Sequence, residues 1–284
     1  MKTILIPTDF SANAKHAAEY GYRLAKQIKA DVVLCNAVIV PAEMPQAGFV
    51  AWPMEEYDML IDGSTDELKK IKIDLEQNKN GFKPLITCFN EAGTVADVVN
   101  GIIATKKIDM VVMGTHGSSG LSSFLLGNHS RMLIDSITKP LLLVPASAPE
   151  TPVKKIAFAT DFKHPEKDLE FIYDLIPLAK SLYAEILLTH IYEEKNQSPE
   201  FQKWIKNFLT ELSNKADYPH IYYRLVKNDR TENGLDWLCG HGQVDMLAMV
   251  HRAHNFFDNL IKGSYTQKMA AHISIPLLVF PVRG

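Results

Sequence analysis

The chain has 284 residues, 46% of them hydrophobic and 22% charged, so it can bury substantial apolar cores, and at roughly 150 residues per domain its length suggests two domains. A formal net charge of -3 gives no general attraction for nucleic acid or anionic membranes. Cys35, Cys88 and Cys239 form no CxxC pair or even-numbered framework, and no stretch approaches the roughly 18 apolar residues of a membrane span, so a reduced, cytoplasmic protein with no signal peptide and no membrane partner is expected.

The first apolar run, Lys2–Phe10 (KTILIPTDF), predicts a short strand that ends at Pro7, Thr8 and Asp9. Helical spacing follows over 12–29, and Asp31–Ala37 (DVVLCNA) predicts a second strand. Residues 40–53 form a proline-rich insert with apolar residues, read as a loop, and helical spacing resumes over 55–79 and 94–107. Ile108–Met113 (IDMVVM) is the fourth strand; after a glycine-rich stretch and helical spacing over 123–138, Lys139–Pro145 (KPLLLVP) closes the series. Such nearly continuous runs are expected of parallel strands covered by helices on both faces.

These four landmarks recur in the same order. Lys154–Phe162 (KKIAFATDF), Glu185–Ile191 (EILLTHI), Val244–Met249 (VDMLAM) and Ile275–Pro281 (IPLLVFP) echo them, with helical spacing at 165–183, 199–216, 230–241 and 257–273. Three prolines between Pro145 and Pro152 mark a short, stiff linker. The expected fold class is α/β: two tandem doubly wound five-stranded parallel-sheet domains, 1–147 and 152–284, each of strand order 3-2-1-4-5.

Strand four of the first half runs into Gly114–Ser130 (GTHGSSGLSSFLLGNHS). Glycine permits positive φ and close backbone approach, so successive N–H groups can point into one concavity and hold an anion without net positive charge. Gly127, Asn128, His129 and Ser130 open the next helix, whose unsatisfied N–H groups favour phosphate. Ligands of open α/β sheets bind at the carboxyl ends of the strands where strand order reverses, here between strands one and four, where Asp9 and Gly114 stand.

The strand, Gly-x-x-Gly, nine residues and a further glycine followed by a small polar residue resemble the ATP-binding signature of the universal stress protein family, and the resemblance covers the whole chain as two tandem units. It implies an adenine nucleotide alpha hydrolase-like fold. It further implies an aspartate after strand one contacting the nucleoside, backbone at the end of strand two contacting adenine, and a glycine loop around the phosphates. Carried over, the expected ligand-binding positions are Pro7, Thr8, Asp9, Ala37, Gly114, His116, Gly117, Gly127, Asn128, His129 and Ser130. Asn128 departs from the serine or threonine usual there: its amide donates to a phosphate oxygen, but it also presents an acceptor. Family members commonly dimerise through the last strand, so Leu141–Val144 and Leu277–Phe280 are expected to cover each other's edges as an intramolecular pseudo-dimer, with homo-oligomers left open.

In the second half Gly114 aligns with Val250 and Gly117 with Ala253, and only Gly263-Ser264 survives from the far end of the loop, so nucleotide binding is expected in the first half alone. No P-loop, no Gly-x-Ser-x-Gly elbow and no catalytic base is legible, and His251 and His254 lack a cysteine or acidic pair to complete a zinc set. The expected function is a non-enzymatic sensor or regulator in the stress response that holds ATP, with Mg²⁺ if Asp9 helps to place it, and with at most slow hydrolysis. The alternative is a nucleotide-free interaction scaffold.

Overall fold

Ten strands alternate with helices in the computed structural model, which describes residues 3–39, 54–77, 81–115, 132–134, 136–162, 165–192, 199–251 and 274–281. The first half contributes β1 (Thr3–Pro7), α1 (Ala12–Ile28), β2 (Asp31–Val38), α2 (Met54–Glu76), β3 (Ile86–Ala92), α3 (Val95–Thr105), β4 (Met110–Gly114) and β5 (Leu141–Val144). The second contributes β6 (Lys155–Ala159), α4 (Pro165–Leu182), β7 (Glu185–Tyr192), α5 (Pro199–Ala216), β8 (Ile221–Lys227), α6 (Thr231–His241), β9 (Met246–His251) and β10 (Leu277–Pro281). Residues 132–134 and 136 are helical, and 137 and 138, expected in the same helix, lie beyond its end; residues 123–131 and 135, the insert at 40–53 and the whole of the helix expected over 257–273 lie outside the described residues.

One sheet carries all ten strands in the order β3-β2-β1-β4-β5-β10-β9-β6-β7-β8, so each half has the order 3-2-1-4-5 and the fold is a doubly wound α/β fold. Alternation along each strand sends side chains to two faces. Ile4, Ile6, Val32, Leu34 and Val112 pack toward α1 and α2, in a cluster that continues over α4 and α5. Leu5, Val33, Val111 and Met113 pack toward α3 on the other face, in a cluster that reaches α6.

The two halves agree in register. Ile4 lies opposite Met110 as Ile156 lies opposite Met246, and Thr3 opposite Asp31 as Lys155 opposite Glu185. Even the polar latch at the start of strand one is repeated: Asp109 Oδ2 accepts from the Thr3 N–H at 3.0 Å, and Asp245 Oδ2 from the Lys155 N–H at 2.8 Å.

The halves meet along β5 and β10, which pair antiparallel with Leu143 opposite Leu277, Leu142 opposite Leu278 and Leu141 opposite Val279. All six side chains are buried. Burying one such side chain contributes roughly 1.5–3 kcal/mol, so the seam is a continuation of the core.

Candidate functional site

The turn between β1 and α1 is built from five short polar contacts. Pro7 closes β1, and the Thr8 N–H donates to the Cys35 carbonyl at 2.8 Å, carrying the ladder one residue past the strand. Thr8 Oγ1 then accepts from the Phe10 N–H at 3.0 Å. Asp9 Oδ1 accepts from the Ser11 N–H at 3.1 Å and from its hydroxyl at 2.5 Å, while Ser11 Oγ caps α1 by accepting from the Ala14 N–H at 3.2 Å. Phe10 sits in the left-handed region at φ 65°, which a bulky residue adopts only where its surroundings impose it. Asp9 itself is exposed, at the carboxyl end of β1.

Buried polar groups hold this turn from behind. Asn36 Nδ2 donates to the Thr8 carbonyl at 2.7 Å, and Ser64 Oγ on α2 donates to Asn36 Oδ1 at 2.9 Å. Thr8, Asn36 and Ser64 are three of the five buried polar or charged residues among those described; the other two, Asp168 and Thr189, belong to the equivalent turn of the second half. Buried polar groups are tolerated where they are paired; the Asn36 and Asp168 side chains pair directly with Thr8 and Thr160 of the two turns, while the Thr189 hydroxyl donates to the Leu187 carbonyl within its own strand.

The remaining described positions flank that turn. Leu5 lies opposite Val111, so counting three residues along each parallel strand sets Thr8 level with Gly114. Gly114 pairs with Val144, and the Thr115 N–H donates to the Val144 carbonyl at 3.2 Å, which fixes where the chain leaves β4. Pro7 pairs with Cys35, so Ala37 stands two residues beyond the end of β1, half-buried against the core on the α3 face. Pro7, Thr8, Asp9, Ala37 and Gly114 therefore gather at the carboxyl ends of β1, β2 and β4, where strand order reverses. His116, Gly117, Gly127, Asn128, His129 and Ser130 lie outside the described residues.

The second half builds the same turn with other side chains. The Thr160 N–H donates to the Thr189 carbonyl at 3.0 Å, Thr160 Oγ1 accepts from the Phe162 N–H at 2.9 Å and donates to Asp168 at 2.6 Å, and Phe162 has φ 53°. His190 takes the place of Asn36, with Nδ1 3.0 Å from the Thr160 carbonyl, which requires the proton on Nδ1. Phe162 and His190 sit in an aromatic cluster with Phe201, Trp204 and Phe208 of α5, where the first half has the polar Asn36–Ser64 pair. Val250, opposite Phe280 as Gly114 is opposite Val144, puts a side chain where the first half has none.

Among the described residues no group of three or more His, Cys, Asp or Glu side chains is arranged for a metal ion, and no helix is long and apolar enough to cross a membrane. Asn36, Ser64 and His190 escape a motif-based reading because Asn36 and His190 lie within strands read for their apolar runs and Ser64 is one of several polar residues along α2.

Comparison with known proteins accords with this architecture. The family model described as the universal stress protein family matches residues 1–145. A universal stress protein of Methanocaldococcus jannaschii is 32% identical over 143 residues, covering 50% of this chain and 81% of the relative. One of Synechocystis is 24% identical over 300 residues and covers 99% of this chain and 100% of the relative. The crystal structure of a universal stress protein from Archaeoglobus fulgidus superimposes with a TM-score of 0.72 at 16% identity, over 98% of both chains, a likeness of fold. With the first half matched by the family model and by a relative at that identity, the chain belongs to the universal stress protein family.

Proposed function

We propose that the chain binds ATP or a related adenine nucleotide in the first half and acts as a sensor or regulator in the stress response, without turnover as its purpose. The observation that carries this reading is the hydrogen-bonded Thr8–Phe10 turn beside Gly114, at the point where strand order reverses. Pro7, Thr8 and Asp9 would meet the nucleoside, backbone at Ala37 the base, and Gly114 would open the phosphate loop, completed by His116, Gly117, Gly127, Asn128, His129 and Ser130. Mg²⁺ would arrive with the phosphates, since such ions take one or two carboxylates and otherwise keep phosphate and water ligands. Val250 in place of Gly114 supports a second half that does not bind nucleotide in this way.

The reading includes two units, 1–147 and 152–284, joined as an intramolecular pseudo-dimer through β5 and β10 in a cytoplasmic protein. Thermal melting with and without Mg-ATP tests it: at a hundred times Kd the nucleotide should add about 2.7 kcal/mol of stability. Gly114→Val, which copies the second half, should abolish the shift. A wild-type protein whose melting ATP leaves unchanged would favour the nucleotide-free scaffold.

A further inference from the structure

Where the linker crosses α1 a cavity of about 220 Å³ opens, bounded by Tyr20, Arg23, Lys26 and Gln27 on the helix and by residues 150–153 on the linker. A water molecule occupies ~30 Å³ in the liquid, so the space suits several waters or one small anion. Arg23 lies 12 residues along α1 from Ser11, or roughly 18 Å at 1.5 Å per residue, so this is a different place from the crevice at Asp9.

Arg23 is an arginine without a good partner. Its Nη1 is 3.5 Å from a Glu150 carboxylate oxygen, longer than a charge-assisted hydrogen bond, and the Glu150 side chain is 70% exposed, so solvent screens the pair and leaves the carboxylate easily displaced. Its Nη2 is buried and has no hydrogen-bond partner among the described residues. That nitrogen carries a desolvation cost that no hydrogen bond among the described residues offsets. The Tyr20 ring, 5.8 Å away, backs the guanidinium. Lys26 places a second positive charge on the same wall, and Tyr20, Gln27 and Thr151 are neutral donors around it.

The fold does not require this residue. The Ala30 N–H donates to the Ala25 carbonyl as the Ala184 N–H donates to that of Ala179, and counting two residues back from each acceptor sets Arg23 against Pro177. One half thus does without any cation at this position. A planar fork of N–H donors with one end buried and unpaired, beside a small cavity and a further cation, matches the geometry of a carboxylate or phosphate group.

We propose that this cleft binds a compact oxyanion, the phosphate or carboxylate of a small molecule, with the Arg23 guanidinium as principal ligand and Glu150 as the internal competitor it displaces. Because the linker forms one wall, occupancy would fasten α1 to the connection between the two halves.

Calorimetric titration of the full chain with sodium phosphate and with sodium succinate, against sodium chloride at equal ionic strength, tests the proposal; the tighter of the first two identifies the class. Saturable binding should weaken about tenfold or more in Arg23→Gln, and less in Arg23→Lys, which keeps the charge and loses the fork. Glu150→Gln should tighten it several-fold, as removal of a competing carboxylate requires, and saturating ATP should leave the isotherm in place. A response that chloride reproduces, an affinity unchanged by Arg23→Gln, or one unchanged or weakened by Glu150→Gln would overturn the proposal. Circular dichroism of each variant confirms that the comparison is made on folded protein.

Discussion

Asn36 Nδ2 donates to the carbonyl oxygen of Thr8 across 2.7 Å, from the strand next to β1 into the turn that carries Asp9. His190 makes the equivalent bond to Thr160. Two chemically different side chains at one position satisfy the same backbone oxygen, so what each half preserves is the shape of the turn, and the residue that secures it is free to change.

Removing that bond should loosen the turn. Asn36→Leu leaves the buried Thr8 carbonyl and the Ser64 hydroxyl unpaired, and one such group costs about 1–3 kcal/mol, so urea unfolding should show a loss of that order. Asn36→His, copying the second half, should recover part of the loss. In a cycle with Ser64→Ala the two sites should couple by roughly 0.5–3 kcal/mol, the range for residues in one network. Additive effects would mean that the Asn36–Ser64 contact carries no energy.

Most of the sheet was legible in the sequence because its central strands are buried on both faces and read as unbroken apolar runs. The edge strands were not legible. β3 (ITCFNEA) is buried only at its first residue and half-buried or exposed elsewhere, so it lacks the run that marks β2. The crevice was legible by position, through Asp9 and Gly114, since strand ends and glycines leave a sequence signal. Its support was not: Asn36 lies inside the apolar run of β2, and Ser64 is a buried serine on α2, where only the tertiary fold supplies each with the other.

Gly234, in α6, is held to glycine by packing. A Cβ there would lie 2.6 Å from Ile191 Cγ2 and 2.9 Å from its Cδ1. Alanine in a helix interior gains up to about 1 kcal/mol over glycine, whereas overpacking costs about 1–3 kcal/mol. The clash should win, and Gly234→Ala should destabilise by about 1 kcal/mol in thermal or urea unfolding. In an Ile191→Ala background the obstructing atoms are gone, so the same substitution should become stabilising. Destabilisation in both backgrounds would place the constraint elsewhere.

Burial pushes the Cys35 thiol from 9.0 up to about 12, and burial followed by the nearby Asp236 charge does the same to Cys239. The raised folded-state values mean that the folded chain keeps protons which the unfolded chain loses, so this contribution is complete below pH 9 and is lost as the pH rises toward 12. Each retained proton steepens the fall by up to about 1.4 kcal/mol per pH unit. A Cys35→Ala, Cys239→Ala variant should therefore show a shallower decline of unfolding free energy between about pH 9 and 10. Its slope is the measurement, because loss of two buried side chains lowers the whole curve without altering that slope.

The seam between the halves has a local twofold character that its residues make testable. Met110 and Met246 occupy equivalent places, an offset of 136, and Leu142 is paired with Leu278, its own counterpart at that offset. Leu141 and Leu143 meet Val279 and Leu277, the counterparts of each other's positions, so exchanging the halves maps the contact onto itself. Such a surface is self-complementary, and a β5 edge stripped of β10 would present an unpaired apolar strand able to pair with its own copy. Residues 1–147 produced alone should dimerise about an axis at Leu142, with Leu141 against the partner's Leu143, as size-exclusion chromatography with light scattering would register. Leu142→Lys should keep that fragment monomeric, because two ammonium groups would then face each other on the buried axis. A fragment that is folded and monomeric without the substitution would show that β10 offers β5 something its own copy does not.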